Sequence, residues 1–169
     1  MTYRLAVTGS REYDDGMSLR AALDQIFDEV PSSDLLVVMC ALHDDPVYQH
    51  GADVIAAEWA REAAGQGLAV TLEKYPPDWE GPCRSQCGHG DRASWNGRSI
   101  CPWAGIYSSE LMCASAIKVL AALRTGTRST GARNCLMRAA GRGISIQLVV
   151  QGDAAGLPAD LLRPRTSRL

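Results

Sequence analysis

Apolar positions along this chain fall into two alternating kinds of run. Tyr3-Arg4-Leu5-Ala6-Val7-Thr8 is short, mostly apolar and stopped by Gly9-Ser10-Arg11. That is the pattern of a buried strand ending in a tight turn. After Asp14-Asp15-Gly16, the residues Leu19, Ala22, Leu23, Ile26, Phe27 and Val30 recur at steps of three and four, which places one apolar stripe on a helix that Pro31 ends. Leu35-Leu36-Val37-Val38-Met39 is continuously apolar, as befits a strand covered by helices on both faces. Ala52, Ile55, Ala56, Trp59, Ala60 and Ala63 predict a second helix closed by Gly65 and Gly67, and Leu68 to Leu72 a third strand.

From Pro76 to Gly105 no period of two or 3.6 survives, and the stretch is rich in Pro, Gly, Cys, Trp and Arg. An insertion or long functional loop is expected there. Regularity returns with a short helix from Ile106 to Ala114 and a strand from Ala116 to Ala121. The loop Arg124-Thr125-Gly126-Thr127-Arg128-Ser129-Thr130-Gly131 then leads into a helix carrying Cys135, Leu136, Ala139 and Ala140, and Ile144 to Val150 supplies a last strand. Strands alternating with helices predict an α/β fold, a three-layer Rossmann-like doubly wound parallel sheet. There is no internal repeat.

Length changes this picture little: 169 residues with a hydrophobic share of 46% suit one core between two helical layers. The expected organisation is a single domain over 1–151, a cysteine-rich insertion over 76–105 and a tail over 152–169. A net charge of -2 argues against a dedicated nucleic-acid binder, whose affinity rests on clustered basic charge. The one basic concentration, Arg163, Arg165 and Arg168, reads as a solvated end. No apolar stretch approaches the roughly 20 residues that span a bilayer, and Met1-Thr2-Tyr3-Arg4 leads straight into a strand. No membrane partner and a cytoplasmic location are therefore expected. In that compartment six cysteines point to metal binding or plain burial rather than to disulfides.

In a doubly wound sheet, ligands gather beyond the carboxyl ends of the strands. Three loops meet that description. Thr8-Gly9-Ser10-Arg11 offers a hydroxyl, backbone N–H groups at a glycine turn and a guanidinium whose fork matches phosphate oxygens; its bland alternative is an ordinary strand-to-helix turn. Gly126, Thr127, Arg128, Ser129, Thr130 and Gly131 lie between a strand and a helix. The glycines permit close approach of backbone to an anion, while Ser129 or Thr130 can cap the helix and face a ligand. No Gly-Lys-Ser/Thr ending is present, so hydrolysis of a nucleoside triphosphate is not supported. In the third loop, His50-Gly51-Ala52-Asp53, the carboxylate of Asp53 can stabilise the helix end or hydrogen-bond a ribose, and the first is the commoner fate.

These motifs occur in an order that resembles the YspA-like branch of the SLOG superfamily, relatives of which include the LOG hydrolases and DprA/Smf proteins. The carriers are Val7-Thr8-Gly9-Ser10-Arg11, Gly51-Ala52-Asp53 with Ala57 and Trp59-Ala60, Ala104-Gly105 ahead of Met112, and Gly126 to Gly131. The resemblance covers about Arg4 to Val150. It implies a Rossmann-like domain for nucleotides or nucleotide-derived ligands, with roles in nucleotide signalling or phage-host conflict, and a homo-oligomer paired through helices.

Departures from the pattern bear on chemistry. A His-Gly-Gly-like turn is replaced by Met39-Cys40-Ala41 and a detour carrying His43, Asp44, Asp45 and Tyr48. Ser108-Ser109 stands where an Arg-Asn pair is usual, followed by Glu110, and Arg133 and Asn134 occupy the neighbourhood where LOG enzymes carry a Glu. A binder that senses or sequesters a phosphate-bearing small molecule is thus the leading expectation. A nucleoside or nucleotide N-glycosidic hydrolase or transferase using Glu110 or Asp53 is the rival, and a protein-interaction module docking through the insertion is a third reading.

Cys83, Cys87, His89 and Cys101 lie within nineteen residues of the aperiodic stretch. A tetrahedral zinc site needs four such donors, and a loop poor in core-forming residues needs a cross-link. A structural Cys3His zinc knot is expected, against the alternative of unligated thiols. Cys40, Cys113 and Cys135 read as buried thiols. Trp79, Trp95 and Trp103 are expected mainly to fill the core of the insertion, with one of them available to stack on a base.

Overall fold

The computed structural model describes residues 1–127 and 129–153. Arg128 and the arginines of the tail, Arg163, Arg165 and Arg168, lie outside the described residues.

Alternation within the strands decides the layering. In β1 (Thr2–Gly9), Leu5 and Val7 point to one face and Ala6 to the other, and all three are wholly buried. The first face receives Leu19, Leu23 and Ile26 of α1 (Gly16–Glu29) and Ala52, Ala56, Trp59 and Ala60 of α2 (Gly51–Gly65). The second is covered by Met112 and Cys113 of α3 (Ala104–Ser115) and by Ala132, Cys135, Leu136 and Ala139 of α4 (Thr130–Gly141). Helices on both faces make the three expected layers, with the core split in two by the sheet.

The sheet also contains β2 (Leu35–Cys40), β3 (Val70–Lys74), β6 (Lys118–Arg124) and β7 (Ser145–Gln151), all parallel, in the order β3-β2-β1-β6-β7. The chain builds outward from β1 to β3, then crosses back to lay β6 on the far side of β1. The reversal falls between β1 and β6, where loops leaving adjacent strands diverge and open a crevice. Several boundaries differ from the sequence pattern. Leu68 and Ala69 are spent leaving the turn at Gly67 (φ +83°), so β3 starts at Val70. Meanwhile α3 begins two residues earlier than expected, at Ala104.

Between β3 and α3 the insertion holds a small antiparallel hairpin, β4 (Ala93–Trp95) and β5 (Arg98–Ile100). Three-residue strands are too short to leave an alternation in the sequence. A short 3-10 turn, Pro46–Tyr48, lies within the detour after β2, with Asp45 accepting from the N–H of Val47. Among the described residues no helix is long and apolar enough to cross a membrane.

Candidate functional site

A cavity of about 430 Å3 opens at the switch between β1 and β6. Its floor is Thr8 and Gly9 at the end of β1, with Ala41 just past β2. Three helices start on its rim: α2 contributes His50 and Asp53, α3 contributes Gly105, Ile106 and Ser109, and α4 contributes Ser129 to Ala132. Trp79, Trp95 and Ile100 of the insertion close the remaining side. First-turn N–H groups of a helix have no intrahelical partners, so the cavity collects donors and the positive ends of helix dipoles from several directions.

Of the residues singled out by sequence, Thr8, Gly9, Arg11, Asp53, Ser129, Thr130 and Gly131 line this one space. Ser10 and Gly51 stand behind it. Ser10 is buried, its hydroxyl accepting from the N–H of Arg124 at 2.9 Å and lying 2.5 Å from the Ser129 hydroxyl. It therefore staples the loop after β1 to the loop after β6. The same contact turns Ser129 away from the expected role of helix cap, and it makes no side-chain cap bond to α4. Gly51 has φ +60°, and a Cβ there would meet the carbonyl oxygens of Ser10 at 2.2 Å and Arg11 at 2.7 Å. Gly126 and Thr127 are off the lining; the Thr127 hydroxyl donates to the Arg124 carbonyl at 2.9 Å. Glu110 is also outside: its carboxylate accepts from Arg138 of α4 at 2.9 Å.

Arg11 lies between two indoles, its guanidinium carbon 4.8 Å from the Trp95 ring centre and 5.3 Å from that of Trp79. It forms no ion pair among the described residues, and its charge faces the cavity. Asp53 is held by the N–H of Ala41, 2.9 Å from Oδ1, which ties the exit of β2 to the start of α2. One edge of this residue faces the cavity, yet the surrounding protein is dense enough that burial pushes its carboxyl up to about 6. The Ala41 bond and the Arg11 charge pull in the opposite direction without cancelling it. The neighbouring His50 is driven toward its neutral form by burial and then by Arg11, and its Nε2 is buried with no hydrogen-bond partner. Cys40 is pushed up to about 12 by burial, which removes it as a nucleophile. Cys113 and Cys135 are buried where α3 meets α4, with sulfurs 3.3 Å apart.

The site has an aromatic side built from Tyr48, Trp79 and Trp95. Tyr48 packs on Trp95 at 5.0 Å and on Trp79 at 6.3 Å between ring centres, and its hydroxyl donates to Glu80. Arg98 pairs with Asp45 and Glu80, both at 2.7 Å, joining the hairpin to the detour before α2. The detour and the insertion therefore form one wall. Trp103 packs elsewhere, near Gly88 and Tyr107. Ala41 and Ser109 were missed as lining residues, and His50 was noted only as part of its loop: their types are unremarkable, and only the convergence of three helix starts gives them a common address.

Beside the cavity, the donor atoms of Cys83, Cys87, His89 and Cys101 all lie within 4.8 Å of one another. His89 Nε2 is 3.4 Å from the sulfurs of both Cys83 and Cys101, and the Cys87 and Cys101 sulfurs are 3.7 Å apart. Ordinary zinc bond lengths in a tetrahedron separate donors by about 3.5–3.8 Å, so the cluster has the size and the donor set for a four-coordinate ion. The Tyr107 hydroxyl, 3.3 Å from Cys87, favours the thiolate there. The His89 Nδ1 lies 3.0 Å from the Gly90 carbonyl, which orients the ring so that Nε2 faces the sulfurs.

The family model described as YAcAr, the YspA, cpYpsA-related SLOG family, matches residues 3–81. That segment runs from β1 through Trp79 and contains Thr8 to Arg11 and Asp53. No curated protein and no solved structure matches the chain.

Proposed function

We propose, from the premise that residues 3–81 belong to the YspA, cpYpsA-related SLOG family, that this protein binds a nucleotide or nucleotide-derived small molecule carrying phosphate. The observation that carries the reading is Arg11, which forms no ion pair among the described residues, on the rim of a cavity that also receives the start of α4. A guanidinium and free helical N–H groups are complementary to phosphate oxygens. Trp79 and Trp95 bring aromatic surface to the same cavity for a base, and Asp53 on its lining is an acceptor for sugar hydroxyls. A volume of about 430 Å3 falls in the range of small-molecule sites. Zinc, held by Cys83, Cys87, His89 and Cys101, serves as a structural cross-link, since four protein donors leave no open position for water. The role is sensing or sequestering such a ligand in nucleotide signalling or phage-host conflict.

The test is calorimetric titration of the zinc-loaded protein with AMP and with ADP-ribose. Arg11→Ala should weaken both by about 1.5–3 kcal/mol, the worth of a charge-assisted contact, and equal affinity in the variant would remove Arg11 from the site. One observation favours the hydrolase reading: Asp53, with a carboxyl near 6, is tuned as a general acid would be. Release of free adenine under catalytic protein, abolished in Asp53→Asn, would select it over the binder. Glu110 has no part in either reading, being committed to Arg138.

A further inference from the structure

We infer that Arg92 and the Cys83, Cys87, His89, Cys101 set position the aromatic wall of the ligand cavity, so that metal occupancy of the insertion governs affinity at the neighbouring site. The affinity half of this inference rests on the nucleotide reading; the positional half does not.

The insertion cannot hold its shape by burial. Between Pro76 and Trp103 only Pro77, Ile100 and Cys101 are buried, far too little apolar contact to fix two indoles. Polar and metal cross-links must do it instead. Arg92 is the hub: its guanidinium donates to the carbonyls of Trp79 (3.2 Å), Glu80 (3.1 Å), Gly81 (2.7 Å) and Ser99 (2.8 Å) and to the Ser99 hydroxyl (3.0 Å). The same group reaches the Cys83 sulfur at 3.4 Å. It therefore touches a donor of the Cys/His cluster with one edge while holding the backbone of Trp79 and of β5 with the others. Cys101, directly after β5, donates its N–H to the Trp79 carbonyl at 2.7 Å.

These contacts form a continuous path. The four donors fix Cys83 and Cys101; these fix Arg92, the Trp79 backbone and the hairpin; and the hairpin and Trp79 set the indoles on either side of Arg11. Without an ion, Cys83, Cys87, His89 and Cys101 are joined by nothing stronger than weak thiol and imidazole contacts, and the path loses its closure. Arg98 still tethers the hairpin through Asp45 and Glu80, so the wall loosens rather than detaches. Linkage requires the converse as well: a ligand favouring the closed wall must tighten metal binding by the same factor.

The experiment uses the full chain labelled with 5-fluorotryptophan, whose fluorine resonances report Trp59, Trp79, Trp95 and Trp103 separately once assigned by single Trp→Phe variants. Zinc is removed with a chelator and returned, and AMP affinity is measured in each state. Expected are shifted or broadened Trp79 and Trp95 resonances in zinc-free protein, an unchanged Trp59 resonance from the main core, and AMP affinity lower by about tenfold or more. Returning zinc should reverse all three. Arg92→Ala should retain zinc by metal analysis yet reproduce the Trp79 and Trp95 changes, and Arg92→Lys should not restore them, because one ammonium cannot span the carbonyls that the guanidinium bridges. Unmoved Trp79 and Trp95 resonances without zinc would overturn the inference. So would collapse of the Trp59 signal with them, which would make the ion a support of the whole fold. If zinc-loaded protein does not bind AMP, the nucleotide reading fails, and the fluorine resonances still decide whether the ion holds the wall.

Discussion

Asp53→Asn separates the cost of a buried carboxylate from every other feature of the site. In the folded protein the group is held near 6, against an ordinary 3.8, and each tenfold change in acidity is worth about 1.4 kcal/mol. Ionising Asp53 in place therefore costs about 3 kcal/mol of folding stability, an upper figure because water in the cavity reaches one edge of the carboxyl. For an acid raised on folding, the native state binds the extra proton between the two values. Stability on its account is greatest below about 4 and is lost as pH climbs toward 6 and beyond. Asparagine keeps an oxygen for the Ala41 N–H and has nothing to ionise; replacing a charged acceptor by a neutral one gives back about 1 kcal/mol. The variant should thus be about 1–3 kcal/mol more stable than the parent at pH 8 and about equal to it at pH 4. Urea unfolding of both proteins at pH 4, 6 and 8 measures this, and taking the difference cancels the titration of groups they share. A stability difference that stays flat with pH, or one that turns against the variant at pH 8, would refute the account of Asp53. A carboxylate kept at such expense beside Arg11 should also matter to the ligand, so AMP affinity should fall in the same variant that gains stability.

Other substitutions probe the framework. Gly9→Ala would bring a Cβ to 2.3 Å from the Ala122 carbonyl oxygen and 2.5 Å from the Ala52 Cβ, so α2 must retreat from β1; a loss of about 1–3 kcal/mol or more is expected in thermal melts. Cys87→Ser should take the protein from one bound zinc per chain to none by metal analysis while the far-ultraviolet circular dichroism of the main sheet and helices persists. Glu110→Ala breaks a partly exposed pair with Arg138, so it should cost no more than about 1 kcal/mol in urea unfolding and leave AMP titrations unchanged.

The layering was legible because continuous apolar runs in the inner strands, four buried residues in β1 and five each in β2 and β6, demand cover on both faces. Leu5 and Val7 must share one face, and Ala6 must take the other. The strand order was not written in any one segment. It follows from the crossover after β3, whose connection is the aperiodic insertion, and no local pattern states on which side of β1 the chain returns. Glycine turns advertised the loops after β1 and β6 as sites, whereas the fates of Ser10 and Glu110 depend on partners far along the chain. Ser10 meets Ser129 across 119 positions, and Glu110 meets Arg138 across 28. A hydroxyl or carboxylate in a promising loop is a candidate until its partners are known, and here those partners took it out of the cavity.

The insertion reverses the usual relation between pattern and meaning. A strand or helix is specified redundantly, by many residues of one kind at one period, so its existence can be read while no single residue is decisive. The stretch from Pro76 to Trp103 has no such period, because its shape depends on single contacts between particular groups: Arg92 on five acceptor oxygens, Arg98 on two carboxylates, three thiols and an imidazole in one cluster. Reading residue types there singled out the Cys/His cluster, since Cys and His are chemically distinctive, and it left the hairpin and the indole pair unseen, since neither Arg nor Trp declares its partner. The segment with the least pattern nevertheless completes the cavity that the regular fold only opens on one side. Substitutions that preserve composition but exchange Arg92 or Trp95 should accordingly be tolerated by the sheet and felt at the site, the opposite of what substitution at Leu5 or Val38 would do.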